Sequence, residues 1–140
     1  MIDIDFEVIE DELDIVIPDI YRMFIDAINS EDLELKKYGI YHDTDSILKG
    51  NFKLRELLSD SKPKWENEFF DFGVGDGCGN YFFMIVNDEE DNEVKLWAHD
   101  PEGIENVSSA SEFLTKLLSE IRADFKGEYQ YYYQGNGDWS

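Results

Sequence analysis

The sequence is poor in cysteine, in long apolar runs and in basic residues. Its 140 residues include one cysteine, Cys78, so no disulfide can form within the chain. The longest apolar run, Tyr81 to Val86, falls far short of the ~18 residues that a membrane-spanning helix needs. The acidic N-terminus also lacks the basic and then apolar order of a secretory signal. We therefore expect a cytoplasmic protein that does not enter a membrane.

The shortage of basic residues leaves the chain strongly acidic. Thirty-three Asp and Glu stand against twelve Lys and Arg, which gives a formal net charge of −21 at pH 7. Such a charge repels the phosphates of nucleic acids and anionic membranes, and it attracts basic surfaces over about a Debye length. Solubility alone is the competing explanation of this charge. We expect no binding to nucleic acid or membranes, and we expect a basic protein as the partner.

The rest of the composition is that of one folded domain. Hydrophobic residues make up 42% of the chain and aromatic residues 15%, which argues against disorder. A chain of 140 residues has no room for a second core. We assign residues 1–128 to a single domain and residues 129–140 to an aromatic C-terminal tail.

Helical periodicity marks both ends of this domain. Apolar residues recur at helical spacing in three segments: 3–13, 19–29 and 113–125. Pro18 is expected at the first position of the second helix. Ser109 and Glu112 match a capping box ahead of the last helix. Residues 43–59 predict one or two short helices, interrupted at Gly50.

The middle of the chain predicts a sheet. Three segments are rich in β-branched and aromatic residues: 68–72, 81–86 and 94–98. Residues 38–41 are a further candidate strand. The acidic stretch 87–92 has a turn composition, so the strands on either side of it form an antiparallel hairpin. Alternation in segment 94–98 places Val94, Leu96 and Ala98 on one face of the strand and Lys95 and Trp97 on the other. Because strands and helices are segregated along the chain, the fold class is α+β.

A glycine-rich segment precedes the central strand. Residues 73–80 superficially resemble a phosphate-binding loop. A strand follows them, however, where such a loop needs a helix N-terminus, and the Lys and Ser/Thr of a P-loop are missing. Asp76 would in addition repel a phosphate. The segment therefore predicts a conformationally demanding loop between strands.

The hairpin geometry predicts a cluster of chemically active side chains at one end of the sheet. If Val86 and Glu93 flank the turn, Asn80 lies beside His99. Five residues then converge: Asp76, Cys78, Asn80, His99 and Asp100. A thiol and an imidazole in one place are the groups of nucleophilic catalysis, so a hydrolase built on Cys78 and His99 is one hypothesis. No cysteine-enzyme signature surrounds Cys78, and a small buried cysteine is the more common case, so we expect no enzyme.

No metal or cofactor is expected. The acidic stretch before the third predicted strand has Glu93 where a calcium loop needs Gly. The chain also holds too few Cys and His for a structural zinc site. Trp97 is expected to pack under a helix, with a role on a binding face as the alternative.

Four short motifs, taken in their order, indicate a family. They are Ile17-Pro18-x-x-Tyr21-x-x-Phe24, Phe72-Gly73-x-Gly75-Asp76-Gly77-Cys78-Gly79-Asn80-Tyr81-Phe82, Val94-x-x-Trp97-x-His99-Asp100-Pro101 and Ala110-x-Glu112-Phe113-Leu114. From Leu13 to Leu118 this order resembles the SUKH superfamily, which includes the Smi/Knr regulators of cell-wall assembly and glucan synthesis. The resemblance implies a single α+β domain in which a mostly antiparallel sheet is flanked by helices. It also implies a non-catalytic role, either as a bacterial immunity protein that neutralises a toxin by direct binding or as a regulator that acts through protein partners.

The charge and the resemblance together lead to one functional hypothesis. We expect a bacterial immunity protein that neutralises a basic, nuclease-type toxin, with carboxylates in the place of phosphates. The alternative is a regulatory scaffold of cell-wall or glucan synthesis that acts through host proteins. From the hairpin geometry, the partner-binding residues are expected at the sheet end: Asp71, Asp76, Asn80, Trp97, His99 and Asp100.

Overall fold

The computed structural model describes residues 2–33, 39–61, 63–75, 80–86, 92–99 and 102–125. Within these ranges, four helices and four strands follow one another in the order α1 Phe6–Leu13, α2 Asp19–Ser30, α3 Thr44–Leu57, β1 Phe69–Gly75, β2 Tyr81–Ile85, β3 Glu93–His99, β4 Glu102–Ser109 and α4 Ala110–Phe125. The strands form one antiparallel sheet in the order β1-β2-β3-β4. The α+β class is therefore confirmed, with an antiparallel sheet and helices packed on it.

The helices begin where side chains can satisfy their free backbone amides. Asp5 accepts a hydrogen bond from the Val8 amide at the start of α1. Ser109 Oγ accepts one from the Glu112 amide, 3.1 Å away, at the start of α4, as the capping box predicts. Pro18 is the N-cap of α2 and not its first helical residue, one position from the prediction. No helix among the described residues is both long enough and apolar enough to cross a membrane.

Helix α3 is continuous, and the predicted interruption at Gly50 is wrong. Asp43 caps the helix by accepting a hydrogen bond from the Ser46 amide at 2.7 Å. Ile47 and Leu54 are buried on opposite sides of Gly50 along the helix. A glycine within a helix costs only about 1 kcal/mol relative to alanine. Burial of the two apolar side chains offsets this cost.

The sheet contains the predicted hairpin of β2 and β3, but the two strands pair in a register that differs from the predicted one. Strands β2 and β3 pair antiparallel with Tyr81 opposite Trp97, one residue away from the pairing that would bring Asn80 beside His99. Strand β4 was not predicted, and the described residues 39–41 form no strand. Strand β1 extends beyond Phe72 through a bulge in which Gly73 has φ +98°, a left-handed conformation that favours glycine.

Each face of the sheet buries a separate apolar cluster. On one face, Phe70, Phe72, Phe82, Met84 and Val94 join the buried residues of α1, α2 and α4 in the main core. On the other face, a smaller cluster contains Leu54, Trp65, Phe69, Phe83 and Trp97. The strict alternation of strand side chains assigns neighbouring residues to different clusters. The sheet is thus covered on both faces around β1 and β2.

Candidate partner-binding surface

Asp71, one of the predicted partner-binding residues, is buried in β1 with 2% of its surface exposed. Its Oδ2 atom accepts a hydrogen bond from the Tyr41 hydroxyl at 2.6 Å, and its Oδ1 atom accepts one from the Gly73 amide at 3.1 Å. The protein itself therefore satisfies this carboxylate. In this conformation the carboxylate does not face a partner, which corrects the expectation that it lies on the binding surface.

The burial of Asp71 perturbs the titration of its surroundings. Desolvation raises the pKa of the Asp71 carboxyl to about 6, against the opposing effect of the hydrogen bonds from Tyr41 and Gly73. Burial, together with the nearby Asp71 charge, raises the pKa of the Tyr41 and Tyr21 hydroxyls above their ordinary range. The Tyr21 hydroxyl is fully buried and finds no hydrogen-bond partner among the described residues. The polar groups here belong to the interior of the fold.

Asn51 connects α3 to the edge of the sheet. Its Nδ2 atom donates to the Asp71 carbonyl at 2.9 Å, and its Oδ1 atom accepts from the Asp71 amide at 2.8 Å. The side-chain amide thus makes the two hydrogen bonds that a neighbouring strand would otherwise make with β1. An unpaired edge strand is a site of unwanted strand addition, so Asn51 both anchors the helix and blocks this edge.

Gly50 lets Tyr41 approach Asp71. A Cβ atom at position 50 would lie 2.2 Å from the Tyr41 hydroxyl oxygen and 2.7 Å from the adjacent ring carbon. Both distances are too short for any real contact. The glycine that appeared in the sequence as a helix breaker is therefore required by the tertiary packing of a tyrosine.

Trp97, a second predicted binding residue, is also buried, with 2% of its surface exposed. Its ring centroid lies 5.6 Å from that of Trp65, at an interplanar angle of 61°. Trp65 in turn contacts Phe69 and Phe83, so four aromatic rings pack on this face of the sheet. The packing role expected for Trp97 is confirmed, and a direct contact of this side chain with a partner is not available in this conformation.

The acidic residues are not spread evenly along the chain. Between residues 3 and 32 the sequence holds eleven Asp and Glu and a single basic residue, Arg22. Arg22 is paired with Glu10, with 2.9 Å between Nη2 and Oε2. By contrast, residues 49–64 hold five of the twelve Lys and Arg. Residues 3–32, which contain α1, α2 and the residues beside them, therefore carry a net charge of −10 that the sequence hypothesis did not assign to a site.

The order of motifs and this fold agree with one family. Residues 3–116 match the SMI1 / KNR4 family (SUKH-1). The chain belongs to this family. No curated protein and no solved structure matches the chain significantly. Membership of SUKH-1 fits a non-catalytic role in immunity or in regulation. The matched range ends within α4, and the predicted boundary at residue 128 stays a prediction.

Two further predicted site residues, Asn80 and His99, lie at the start of β2 and at the end of β3. Asn80 is partly buried just before β2, and His99 pairs through its backbone with Glu102. Asp76, Cys78 and Asp100 lie outside the described residues. A partner-binding role for Asp76, Asn80, His99 and Asp100, like the Cys78–His99 hydrolase hypothesis, stays a prediction. Among the described residues, no group of three or more His, Cys, Asp or Glu is placed to hold a metal ion.

Proposed function

We propose that this SUKH-1 protein is a non-catalytic immunity protein that binds and neutralises a basic, nuclease-type toxin domain. The observation that carries the proposal is the net charge of −21, of which residues 3–32, the segment that contains α1 and α2, carry −10. A nuclease needs a basic surface to hold the phosphates of its substrate. Carboxylates on a partner protein compete for the same surface.

The electrostatics also set the expected kinetics. Complementary charge speeds the encounter between two proteins, by a factor that falls as the salt concentration rises. Most of the affinity in such complexes comes from a few apolar or aromatic side chains near the centre of the interface. We therefore expect fast association that depends on salt, and a bound state that also needs apolar contacts.

The test has two steps: a search of the gene's own locus for a gene that encodes a basic toxin domain, and co-expression of the chain with that domain. The proposal expects the cells to survive the toxin, and it expects a stoichiometric complex that weakens between about 50 and about 500 mM salt. A locus without a toxin gene would contradict the proposal, as would cells that die and no complex at low salt. The Cys78→Ala variant is expected to protect as well as the wild type, and a loss of protection would favour the hydrolase hypothesis.

The second candidate is a regulatory scaffold of cell-wall or glucan synthesis, and the family match supports it equally. The two candidates differ in their partner. Affinity purification of the tagged chain from its own cells, followed by mass spectrometry, is expected to recover a basic toxin in the first case. Recovery of a component of wall synthesis would support the scaffold instead.

A further inference from the structure

We propose that a basic protein partner docks on the outer surface of the α1–α2 helix pair, with Val16 and Met23 as apolar anchors among carboxylates. This inference rests on the proposed function, because it names the surface through which the basic partner is held. It replaces the end of the sheet, where Asp71 and Trp97 are buried, as the binding site.

The two helices form one pre-organised unit. The Glu10 Oε2 atom lies 2.9 Å from Nη2 of Arg22 and also accepts a hydrogen bond from the Ile17 amide at 2.8 Å. The Arg22 guanidinium carbon lies 4.8 Å from the centre of the Phe6 ring. These contacts join α1, the connecting segment and α2. They also pair Arg22 with a carboxylate, so this cation does not oppose a basic partner.

Acidic side chains cover the outward positions of both helices. Asp19 and Asp26 flank Met23 on α2 at positions i−4 and i+3, which places the three side chains on one face. On α1 the exposed acidic residues are Glu7, Asp11 and Glu12. The opposite faces of both helices are buried in the main core. The fold therefore needs none of these outward residues for its own packing.

Large apolar side chains are exposed on α1, on α2 and on the segment that connects them. Val16 is 70% exposed and Met23 is 63% exposed, and Val8 on α1 follows with 39%. Such side chains gain nothing for the isolated domain by facing water. Apolar anchors with a charged rim are the usual arrangement of a protein–protein interface.

The negative charge of the α1–α2 surface distinguishes it from the other exposed apolar surface, which lies on α3. Phe52 and Leu57 are exposed on the outer face of α3, beside a groove of about 490 Å³. Lys49 and Lys53 line that groove together with Asp45 and Glu56, so its charges balance and it lacks the negative excess that would attract a basic partner. A second copy of this chain is equally unsuited to the α1–α2 surface, because two such surfaces repel each other. The occupant that fits is a basic surface with an apolar centre.

The test uses a short amphipathic peptide of leucine and lysine as the probe, titrated into the full-length chain and followed by amide NMR shifts. We expect the largest shifts in residues 7–26, and we expect Val16→Ser/Met23→Ser to weaken binding about tenfold or more. The matched control, Phe52→Ser/Leu57→Ser, removes the same kind of exposed side chain from α3. It is expected to bind the peptide like the wild type.

Three results would overturn the inference. They are the largest shifts on α3, equal affinity of Val16→Ser/Met23→Ser and wild type, and self-association of the chain through residues 7–26. The same variants in the toxin co-expression assay separate the two proposals. If the toxin is neutralised and only the α3 variant loses binding, the surface is wrong and the function stands. If the peptide maps to α1–α2 and no toxin is bound, the function is wrong and the surface stands.

Discussion

At the scale of single residues, the buried polar contacts between α3 and β1 depend on side chains of matched size. Asn51 makes two hydrogen bonds to the backbone of Asp71, and the Tyr41 hydroxyl reaches the carboxylate of the same residue. Tyr41 can do so only because position 50 carries no side chain. A buried polar group that loses its partner costs about 1–3 kcal/mol. Small changes here are therefore expected to have large effects.

Gly50→Ala is expected to destabilise the protein, although alanine is the better helix former. The added Cβ would lie 2.2 Å from the Tyr41 hydroxyl oxygen, so Tyr41 must move away from Asp71. We expect the free energy of unfolding to fall by about 1–3 kcal/mol, as in other overpacked interiors. Urea unfolding followed by circular dichroism measures this change.

Gly103→Ala is the matched control for Gly50→Ala. A Cβ at position 103, in β4, meets no atom within 4 Å. We expect this variant to unfold within about 0.5 kcal/mol of the wild type. Equal stability of the Gly50→Ala variant and the wild type would show that Tyr41 does not need the space.

At the scale of elements, α4 carries much of the main core and starts directly after β4. Phe113, Leu114, Leu117 and Ile121 are all buried against the sheet. No connecting residue separates β4 from α4, so Ser109 is both the last residue of the strand and the cap of the helix. The end of β4 therefore fixes the point at which α4 begins.

Ser109→Ala is expected to lower the free energy of unfolding by about 1 kcal/mol. The variant leaves the Glu112 amide, which now donates to Ser109 Oγ at 3.1 Å, without its side-chain acceptor. Thermal or urea unfolding measures the change. Ser111→Ala, at an exposed position in the first turn of α4, is the control and is expected to be neutral or slightly stabilising. The same loss in both variants would contradict a capping role for Ser109.

At the scale of the whole molecule, the negative charge works against the folded state near neutral pH. The compact chain holds thirty-three acidic residues close together, and their mutual repulsion is weaker in the expanded unfolded chain. Burial adds to this effect, since it raises the pKa of Asp71 to about 6 and that of Glu120 to about 7. The net charge and the two buried carboxyls therefore both lower the stability of the folded state as the pH rises.

The protein is expected to be more stable at pH 5 than at pH 8. For Asp71 and Glu120 the folded state has the higher pKa, so it binds more protons than the unfolded state, and stability is lost as the pH rises through the folded values. Asp71 alone accounts for about 1 kcal/mol between these two pH values. Urea unfolding at a series of pH values measures the difference.

Asp71→Asn is the control for the pH dependence, because it removes the buried carboxyl but keeps most of its shape. We expect its stability difference between pH 5 and pH 8 to be smaller than that of the wild type by about 1 kcal/mol. Glu120→Gln tests the less buried carboxyl in the same way. A wild-type protein that gains stability from pH 5 to pH 8 would contradict the prediction.

The sequence alone predicted much of the fold and little of the site. Periodicity and capping residues located α1, α2 and α4, because helix patterns repeat within a few residues of the same segment. The hairpin of β2 and β3 followed from two apolar segments and an acidic turn. Strand β4 was missed, since Gly103, Glu105 and Asn106 have little preference for strands and pair only because β3 lies beside them.

The sequence by itself determined the family, the α+β class and the net charge of −21. The tertiary structure decided that Asp71 lies inside and that Val16 and Met23 lie outside. Local pattern cannot decide these positions, because the burial of a side chain depends on which distant segments of the chain pack against it: Asn51 and Tyr41 cover Asp71, whereas no described segment covers Val16 or Met23. The acidic charge and its clustering along residues 3–32 were visible in the sequence. Which of these side chains face water, and which apolar side chains are exposed beside them in the chain, is a property of the folded chain.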